Sequence, residues 1–185
     1  MPILSQEPDL FPPDLLTRLE LGAERQWWAV YTRSRQEKEL MRRLYALEIP
    51  FYSPIVESRS RSPAGRIRTS YLPLFSNYVF LLGTEDERLE ALKTNTVSSM
   101  IEVTDPAKLV RDLAQIRQLI ATRAPVTIEA RLEPGTPVRI KSGVFKGIEG
   151  TILQRHGQSY LAVAVNFLQQ GASVRLEDFE VEPLV

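Results

Sequence analysis

The pattern of hydrophobic and polar positions changes character along the chain. Residues 27–121 alternate between strand-like and helix-like segments, whereas residues 134–185 contain only strand-like segments and turns. The order β-α-β-β-α-β-α in the first region predicts helices packed on one face of a largely antiparallel sheet. The predicted strands lie at 27–32, 51–57, 77–82 and 100–103, and residues 71–74 are predicted to be extended before the third of them.

Three helix starts are predicted in the first region. The S/T-x-x-E spacing occurs at residues 34–37 and 84–87, and it is typical of a capping box that satisfies free N–H groups at a helix start. The first helix is predicted over 35–48, and the second is expected to turn Leu89 and Leu92 inward. Pro106, which follows an aspartate, predicts the start of the third helix.

The second region predicts a small closed β-barrel, because five short strands follow one another within about 50 residues. Residues 122–133 lose hydrophobic periodicity and predict a linker. The fold class is therefore expected to be α+β. The predicted organisation is an acidic, proline-rich arm that is mostly extended or loosely docked (1–24), a first domain (25–121), the linker (122–133) and a second domain (134–185).

Composition argues against several classes of function. The chain has 185 residues, no cysteine and one histidine, which argues against thiolate metal sites, a cysteine nucleophile and multi-histidine metal sites. The sequence contains no P-loop and no G-x-S-x-G motif. We therefore expect a non-enzymatic protein without cofactor or metal. No apolar run reaches about 18–20 residues, so we expect no membrane span and no membrane partner. We also expect a cytoplasmic protein that is a monomer.

The formal net charge of zero conceals a strong asymmetry. Residues 1–24 carry five acidic residues and one basic residue, residues 25–123 carry 16 basic and 11 acidic residues, and the remainder is nearly balanced. Within the basic segment, residues 58–75 hold four arginines and no acid. The sequence therefore predicts a positively charged surface in the middle of the chain.

Three segments together resemble the NusG family of transcription elongation factors. They are WWAVYTRSRQEKEL from residue 27, PLFSNYVF from residue 73 and VRIKSGVFKGIEGTI from residue 138. The last is similar to the KOW motif, with a G-x-F-x-G turn at Gly143, Phe145 and Gly147 and a further glycine at Gly150. Such a turn needs positive φ angles and close backbone approach, which glycine permits. The resemblance covers about residues 26–183.

The resemblance implies an NGN domain, with an antiparallel sheet and packed helices, followed by an SH3-like β-barrel of the KOW type. The NGN domain would bind the clamp coiled coil of the largest RNA polymerase subunit through an aromatic surface on its sheet. The residues expected there are Tyr31, Phe75, Tyr78 and Phe80. Strand alternation places residues 78 and 80 on one face, and the alternative is that this face is buried under the acidic arm.

The resemblance also implies contact with the non-template DNA strand. The candidate residues near the first helix are Arg33, Arg35, Lys38, Arg42 and Arg43. A second set lies in a basic loop with residues 63–65 at its tip, and comprises Arg59, Arg61, Arg66 and Arg68. Guanidinium groups suit phosphates, but a solvated helix face and a disordered solubilising loop remain the alternatives.

Among the members of that family, the chain resembles specialised paralogues of the RfaH and polysaccharide-operon antiterminator kind more than housekeeping NusG. An asparagine, Asn77, precedes Tyr78, as in RfaH-like proteins, whereas Ser76 departs from the usual proline of both groups. The implied function is antitermination of specific operons, with a ribosomal protein, Rho or RNA bound by the KOW turn and Phe145, unless Phe145 is a core residue. The alternatives are a housekeeping NusG-type factor and a KOW-type RNA-binding or ribosome-associated protein.

Overall fold

The computed structural model describes residues 6–18 and 22–184, which divide into two compact units at Pro106. Helices combine with antiparallel sheets in the chain, which confirms the α+β class. Among the described residues, no helix has the length and apolar character needed to cross a membrane.

The first unit is built on a five-stranded antiparallel sheet in the order β1-β3-β6-β2-β7, with a separate two-stranded sheet of β4 and β5. Its described elements are β1 (Leu10–Phe11), β2 (Gln26–Thr32), α1 (Glu37–Ala46), β3 (Phe51–Tyr52), β4 (Ile55–Arg61), β5 (Ile67–Pro73), β6 (Tyr78–Gly83), α2 (Glu85–Lys93) and β7 (Val97–Glu102).

One face of the five-stranded sheet packs against α1. Val30, Val79 and Leu81 point from β2 and β6 into a cluster that contains Leu40 and Leu44 of the helix, all of them fully buried. These two leucines are four residues apart and therefore share one side of α1. The hydrophobic pattern predicted this packing.

The opposite face carries a continuous row of side chains across all five strands. The strand register aligns Leu10, Tyr52, Phe80, Ala29 and Ile101 in that order. The row is buried from Leu10 to Ala29, and Ile101 at its far end is 50% exposed. The acidic arm therefore supplies a strand of the sheet, and it is more closely integrated than the loosely docked segment predicted from sequence.

Only one of the two predicted capping boxes forms. Thr84 accepts a hydrogen bond from the main-chain amide of Glu87, and the Glu87 carboxylate accepts one from the amide of Thr84 at 2.8 Å. Helix α1 instead begins at Glu37 without a side-chain cap, because Arg35 has a φ angle of 60° and the chain turns there. Helix α1 is accordingly shorter than the predicted 35–48.

Helix α2 does not bury the residues that its sequence pattern predicted. Leu89 and Leu92 are 42% and 39% exposed, and Ala91 is its buried residue. Arg88 lies over the ring of Trp28 at 5.1 Å from the ring centroid, so that a cation–π contact helps to fix this helix on the sheet. The prediction that both leucines point inward is therefore wrong.

The second unit contains a six-stranded antiparallel sheet in the order β13-β9-β10-β11-β12-β8. Its described elements are α3 (Pro106–Ala121), β8 (Val126–Glu129), β9 (Thr136–Ile140), β10 (Glu149–Arg155), β11 (Gln158–Val165), a 3₁₀ turn (Asn166–Leu168), β12 (Gln170–Leu176) and β13 (Val181–Pro183). No strand pairing among the described residues joins β13 to β8, so the sheet is not closed by hydrogen bonds as predicted for a barrel.

The segment predicted as a linker is partly ordered as a strand. β8 pairs with β12, with Val126 opposite Val174 and Glu129 opposite Gly171. Four residues are too few to show a clear period, which explains why the sequence pattern missed this strand. Helix α3 also belongs to the second unit, where the side chain of Asp112 accepts hydrogen bonds from Asn166 at 2.9 and 3.1 Å.

Candidate functional site

Two tyrosines form the centre of the candidate protein-binding surface in the first unit. Tyr31 of β2 and Tyr78 of β6 are directly paired across the strands, and their rings meet edge to face with centroids 5.2 Å apart. Tyr31 is 37% exposed and Tyr78 is half-buried. An exposed aromatic pair on a rigid sheet is a common anchor of protein interfaces.

The two phenylalanines predicted for the same surface are not available to a partner. Phe75 and Phe80 are 1% and 0% exposed. Phe80 shares the face of Tyr78, as strand alternation predicted, but it lies between Tyr52 and Ala29 in the interior of the buried row. The prediction of exposure is therefore wrong for both residues, and they support the sheet from inside.

Ile101 is a candidate surface residue that the sequence pattern did not reveal. It lies on β7 opposite Ala29, on the face that carries Tyr31 and Tyr78, and half of its side-chain surface is exposed. Its diagonal position beside Tyr31 brings the two side chains within reach of each other. The alternation within residues 97–102 could have identified it, because Ile101 and Ser99 share the face that contains Tyr31.

The turn before Tyr78 is held by a carboxylate from α1. Asn77 has a φ angle of 66°, and its main-chain amide donates a hydrogen bond of 2.7 Å to Oε1 of Glu37, which is 8% exposed. The carbonyl of Asn77 in turn accepts a hydrogen bond from the amide of Thr32 at 2.8 Å. These contacts fix the start of β6 against the end of β2, and thereby bring the two tyrosines together.

The basic residues near α1 fall into two groups. Arg42 binds the carboxylate of Glu7 through Nε and Nη2, the shortest bond being 2.8 Å, and it also contacts Glu39. Arg43 donates to Glu39 at 2.9 Å. By contrast, Arg33, Arg35 and Lys38 have no ion pair with any described residue. This second group is therefore better placed to meet an external anion.

The ion pairs of α1 are reflected in the protonation equilibria. Hydrogen bonds from Arg43 and then Arg42 hold the pKa of Glu39 below its usual range. The carboxylate of Glu7 raises the pKa of Arg42 further above its ordinary value. Glu7 belongs to the acidic arm, so the arm neutralises one of the predicted nucleic-acid-binding arginines.

The second basic set lies on a β-hairpin, whereas a flexible loop was predicted. β4 and β5 pair from Ile55–Pro73 at the base to Arg61–Ile67 at the tip. Alternation puts Arg59 and Arg61 on one face and Arg68 on the other, with Arg66 in the turn. Arg59 contacts Glu57, whereas Arg61, Arg66 and Arg68 form no ion pair with described residues.

The glycine turn of the second unit has the backbone conformation that its sequence predicted. Gly143 and Gly147 have φ angles of 77° and 85°, a region that favours glycine. A Cβ atom on Gly150 would lie 2.4 Å from the carbonyl oxygen of Ala162, so β10 and β11 approach closely there. Phe145 in the same turn is half-buried, and neighbouring Val144 is 72% exposed.

A buried ionic cluster anchors β8 in the second unit. The Glu129 carboxylate, which is 7% exposed, accepts hydrogen bonds from Arg155 at 2.8 and 3.1 Å and from the Ser173 hydroxyl. Burial raises the pKa of Glu129, but the hydrogen bonds from Arg155 and Ser173 outweigh it and hold this pKa below its usual range. Arg155 contacts Glu133 as well.

The described residues bring together no group of three or more histidine, aspartate or glutamate side chains suited to a metal ion.

Two comparisons bear on what these surfaces do. A family model described as "NusG: Transcription termination factor nusG" matches residues 25–131, which is more than half of the chain. The match includes the tyrosine pair, α1 and the basic hairpin. No curated protein matches the chain.

Proposed function

The chain belongs to the NusG family of transcription factors, and from this premise we propose that it is a bacterial elongation factor that docks on the clamp coiled coil of RNA polymerase. It acts by binding, without an enzymatic reaction. The docked factor bridges the cleft of the transcribing polymerase, and this suppresses pausing and termination. The proposed site of action is the cytoplasm, with the factor working as a monomer.

The observation that carries this proposal is the exposed tyrosine pair. Tyr31 and Tyr78 lie on a sheet whose interior is fully packed, and Ile101 extends their surface. The aromatic rings are held in place by strand pairing and by the Glu37–Asn77 hydrogen bond. A preorganised surface loses little side-chain entropy on binding, which favours a stable complex. The clamp helices would bury these side chains.

The unpaired basic residues provide a second contact. Arg33, Arg35 and Lys38 are close in sequence to Tyr31, so a factor docked through the tyrosines brings these cations to the enzyme with it. We assign them to phosphates of the non-template strand. Arginine binds phosphate through two parallel hydrogen bonds, which fits this assignment.

The second unit is assigned the role of an SH3-like KOW domain that recruits another partner, such as a ribosomal protein, Rho or RNA. The support for this role is the strand order and the glycine turn that exposes Val144. Covalent linkage to a docked first unit raises the local concentration of the recruited partner. Asn77 before Tyr78 supports a specialised, RfaH-like role at a subset of operons.

The decisive experiment is co-purification of RNA polymerase with Tyr31→Ala/Tyr78→Ala. We expect this double variant to lose polymerase binding while remaining folded, as verified by a cooperative thermal melt. The matched control is Leu89→Ala/Leu92→Ala, which removes two similarly exposed apolar side chains from α2 and should bind normally. If the tyrosine variant still co-purifies with polymerase, the proposal that Tyr31 and Tyr78 form the docking surface is wrong. Pausing and termination assays on several templates then test the antitermination role.

A further inference from the structure

The hairpin formed by β4 and β5 is suited to one form of nucleic acid in particular. Its strands form a two-stranded sheet of their own, separate from the five-stranded sheet of the first unit. From Glu57 to Arg61 it extends by about 13 Å, at roughly 3.3 Å per residue. Most side chains beyond its base are exposed on both faces.

Cations occupy both faces of this hairpin. Arg61 shares one face with Ile67, and Arg68 lies on the other face beside Ser60. Arg66 stands in the turn between the strands, next to Gly65. A surface that binds one strand along its length needs positive charge on one side only. Positive charge on two opposite faces fits a site with a phosphate backbone on each side.

The hairpin lacks the side chains that bind single strands. No aromatic residue occurs between Ile55 and Ser70, and Tyr71 is packed against the core at the base. Proteins that bind single strands combine a positive groove with aromatic rings on which the bases stack. The hairpin has the charge without the rings.

The dimensions favour the major groove of DNA. A two-stranded ribbon with its side chains is about 10 Å thick, and the major groove of B-form DNA is about 12 Å wide. The major groove of an RNA duplex is too narrow and deep for side chains to read. Ile67 is 66% exposed near the tip, where an apolar group can contact the methyl groups of thymine.

We propose that the hairpin inserts tip first into the major groove of duplex DNA, with Arg61 and Arg68 on the phosphates of opposite strands. This inference rests on the proposed function, since a docked factor is what brings the hairpin to the DNA. The sequence predicted only that these arginines contact DNA, and the inference names the ligand as the double helix beside the transcription bubble. Arg59 shares the face of Arg61 and would exchange Glu57 for a phosphate.

The test measures binding of the full chain to three labelled probes by fluorescence anisotropy. The probes are a 20-base-pair DNA duplex, one of its strands alone and an RNA duplex of the same sequence. We expect the DNA duplex to bind most tightly. For Arg61→Ser/Arg68→Ser, the slope of log affinity against log salt should fall by about 1.8, roughly 0.9 for each phosphate that the variant no longer neutralises.

The matched control is Arg111→Ser/Arg117→Ser, which removes two exposed arginines from α3 and should leave the slope unchanged. Ile67→Ser should weaken duplex binding without altering the slope, because an apolar contact releases no counterion. Thermal melting of each variant verifies folding. A single strand that binds as tightly as the duplex, or an unaltered slope in the hairpin variant, would overturn the inference.

These outcomes are separable from failure of the proposed function. Polymerase binding depends on Tyr31 and Tyr78, and it is measured without added DNA. The wild-type chain could instead bind the single strand more tightly than the duplex, and the hairpin variant could lose that binding. In that case the hairpin still contacts DNA, but insertion into a duplex is excluded. If the tyrosine variant keeps polymerase but the hairpin variant loses duplex binding, docking through the tyrosines fails, whereas the contact of the hairpin with duplex DNA stands.

Discussion

The carboxylate of Glu37 accepts a hydrogen bond from the main-chain amide of Asn77 at 2.7 Å, although the two residues are 40 positions apart. The sequence pattern assigned the Glu37 side chain to the cap of α1. In the structure it stabilises the turn that precedes β6. Because Asn77 immediately precedes Tyr78, this bond connects α1 to the position of the candidate polymerase-binding ring.

Removing this carboxylate should destabilise the first unit. Glu37→Ala leaves the amide of Asn77 without its partner, and we expect a loss of about 1–3 kcal/mol in the free energy of unfolding, measured by urea denaturation. Glu37→Gln keeps an acceptor oxygen and should retain most of the stability. Glu39→Ala, on the exposed side of the same helix, should change it by less than about 1 kcal/mol. Equal losses for residues 37 and 39 would contradict this role.

Phe80 and Ile101 should separate stability from binding. Phe80→Ala creates a cavity in a fully buried row, and we expect it to cost about 3–5 kcal/mol of unfolding free energy. Ile101→Ser alters a half-exposed side chain, and we expect less than about 1 kcal/mol. Only the second variant should weaken polymerase binding while melting normally. Normal polymerase binding by Ile101→Ser would exclude that residue from the surface.

The acidic arm should compete with DNA for Arg42. Glu7→Gln removes the ion pair that occupies this guanidinium, and we expect DNA affinity to rise by up to about fivefold at low salt, since an exposed ion pair contributes up to about 1 kcal/mol. Asp14→Asn makes the same change in charge but breaks a contact with Arg18 inside the arm. It should have a smaller effect. If Glu7→Gln and Asp14→Asn give the same DNA-binding curve, Glu7 does not specifically mask Arg42.

The glycines of the second unit should differ in their tolerance of a side chain. Gly150→Ala places a Cβ atom against the carbonyl oxygen of Ala162, so the paired strands must move apart. Gly143→Ala meets no atom within 4 Å and suffers only from its positive φ angle, at a cost of about 1–2 kcal/mol. Thermal melting should therefore show the larger loss for Gly150→Ala, and the reverse order would be inconsistent with this packing.

Acid should weaken the second unit through Glu129. Its pKa is lower in the folded chain than in the unfolded chain, so its contribution to stability is complete above the ordinary carboxyl value of about 4.3. As pH falls below that value, the unfolded chain takes up the proton first and the contribution declines. Glu129→Gln should show a shallower loss of stability between about pH 4.5 and 3, measured by denaturant titration. A profile identical to the wild type would exclude this cluster as a cause.

Sequence reasoning succeeded where a pattern repeats within one element. Strands β9 to β12 of the second unit, the Thr84 capping box and the positive φ angles of Gly143 and Gly147 follow from local spacing and backbone sterics. Local pattern was sufficient for these features because short-range geometry determines them. Tyr31 and Tyr78 were named by the resemblance to the NusG family, and their direct pairing across β2 and β6 is known from the structure alone.

The errors arose where burial depends on residues distant in sequence. Alternation placed Phe80 on the face of Tyr78 but could not show that Leu10 extends the sheet on that side. β1 has two residues, too few to reveal a period. Leu89 and Leu92 illustrate the same limit, because their spacing defines a helix side without showing what that side meets.

The pairing of β1 with β3 has a consequence for self-association. The family match begins at residue 25, after β1. Leu10 and Phe11 of β1 nevertheless pair with the outer edge of β3, and the amide of Ser53 donates a hydrogen bond to the carbonyl of Asp9. A protein that starts at residue 25 would expose the polar groups of β3 along an open sheet edge. Open edges pair readily with other chains. Two residues of the arm cover this edge, and we therefore expect them to limit pairing between copies of the chain.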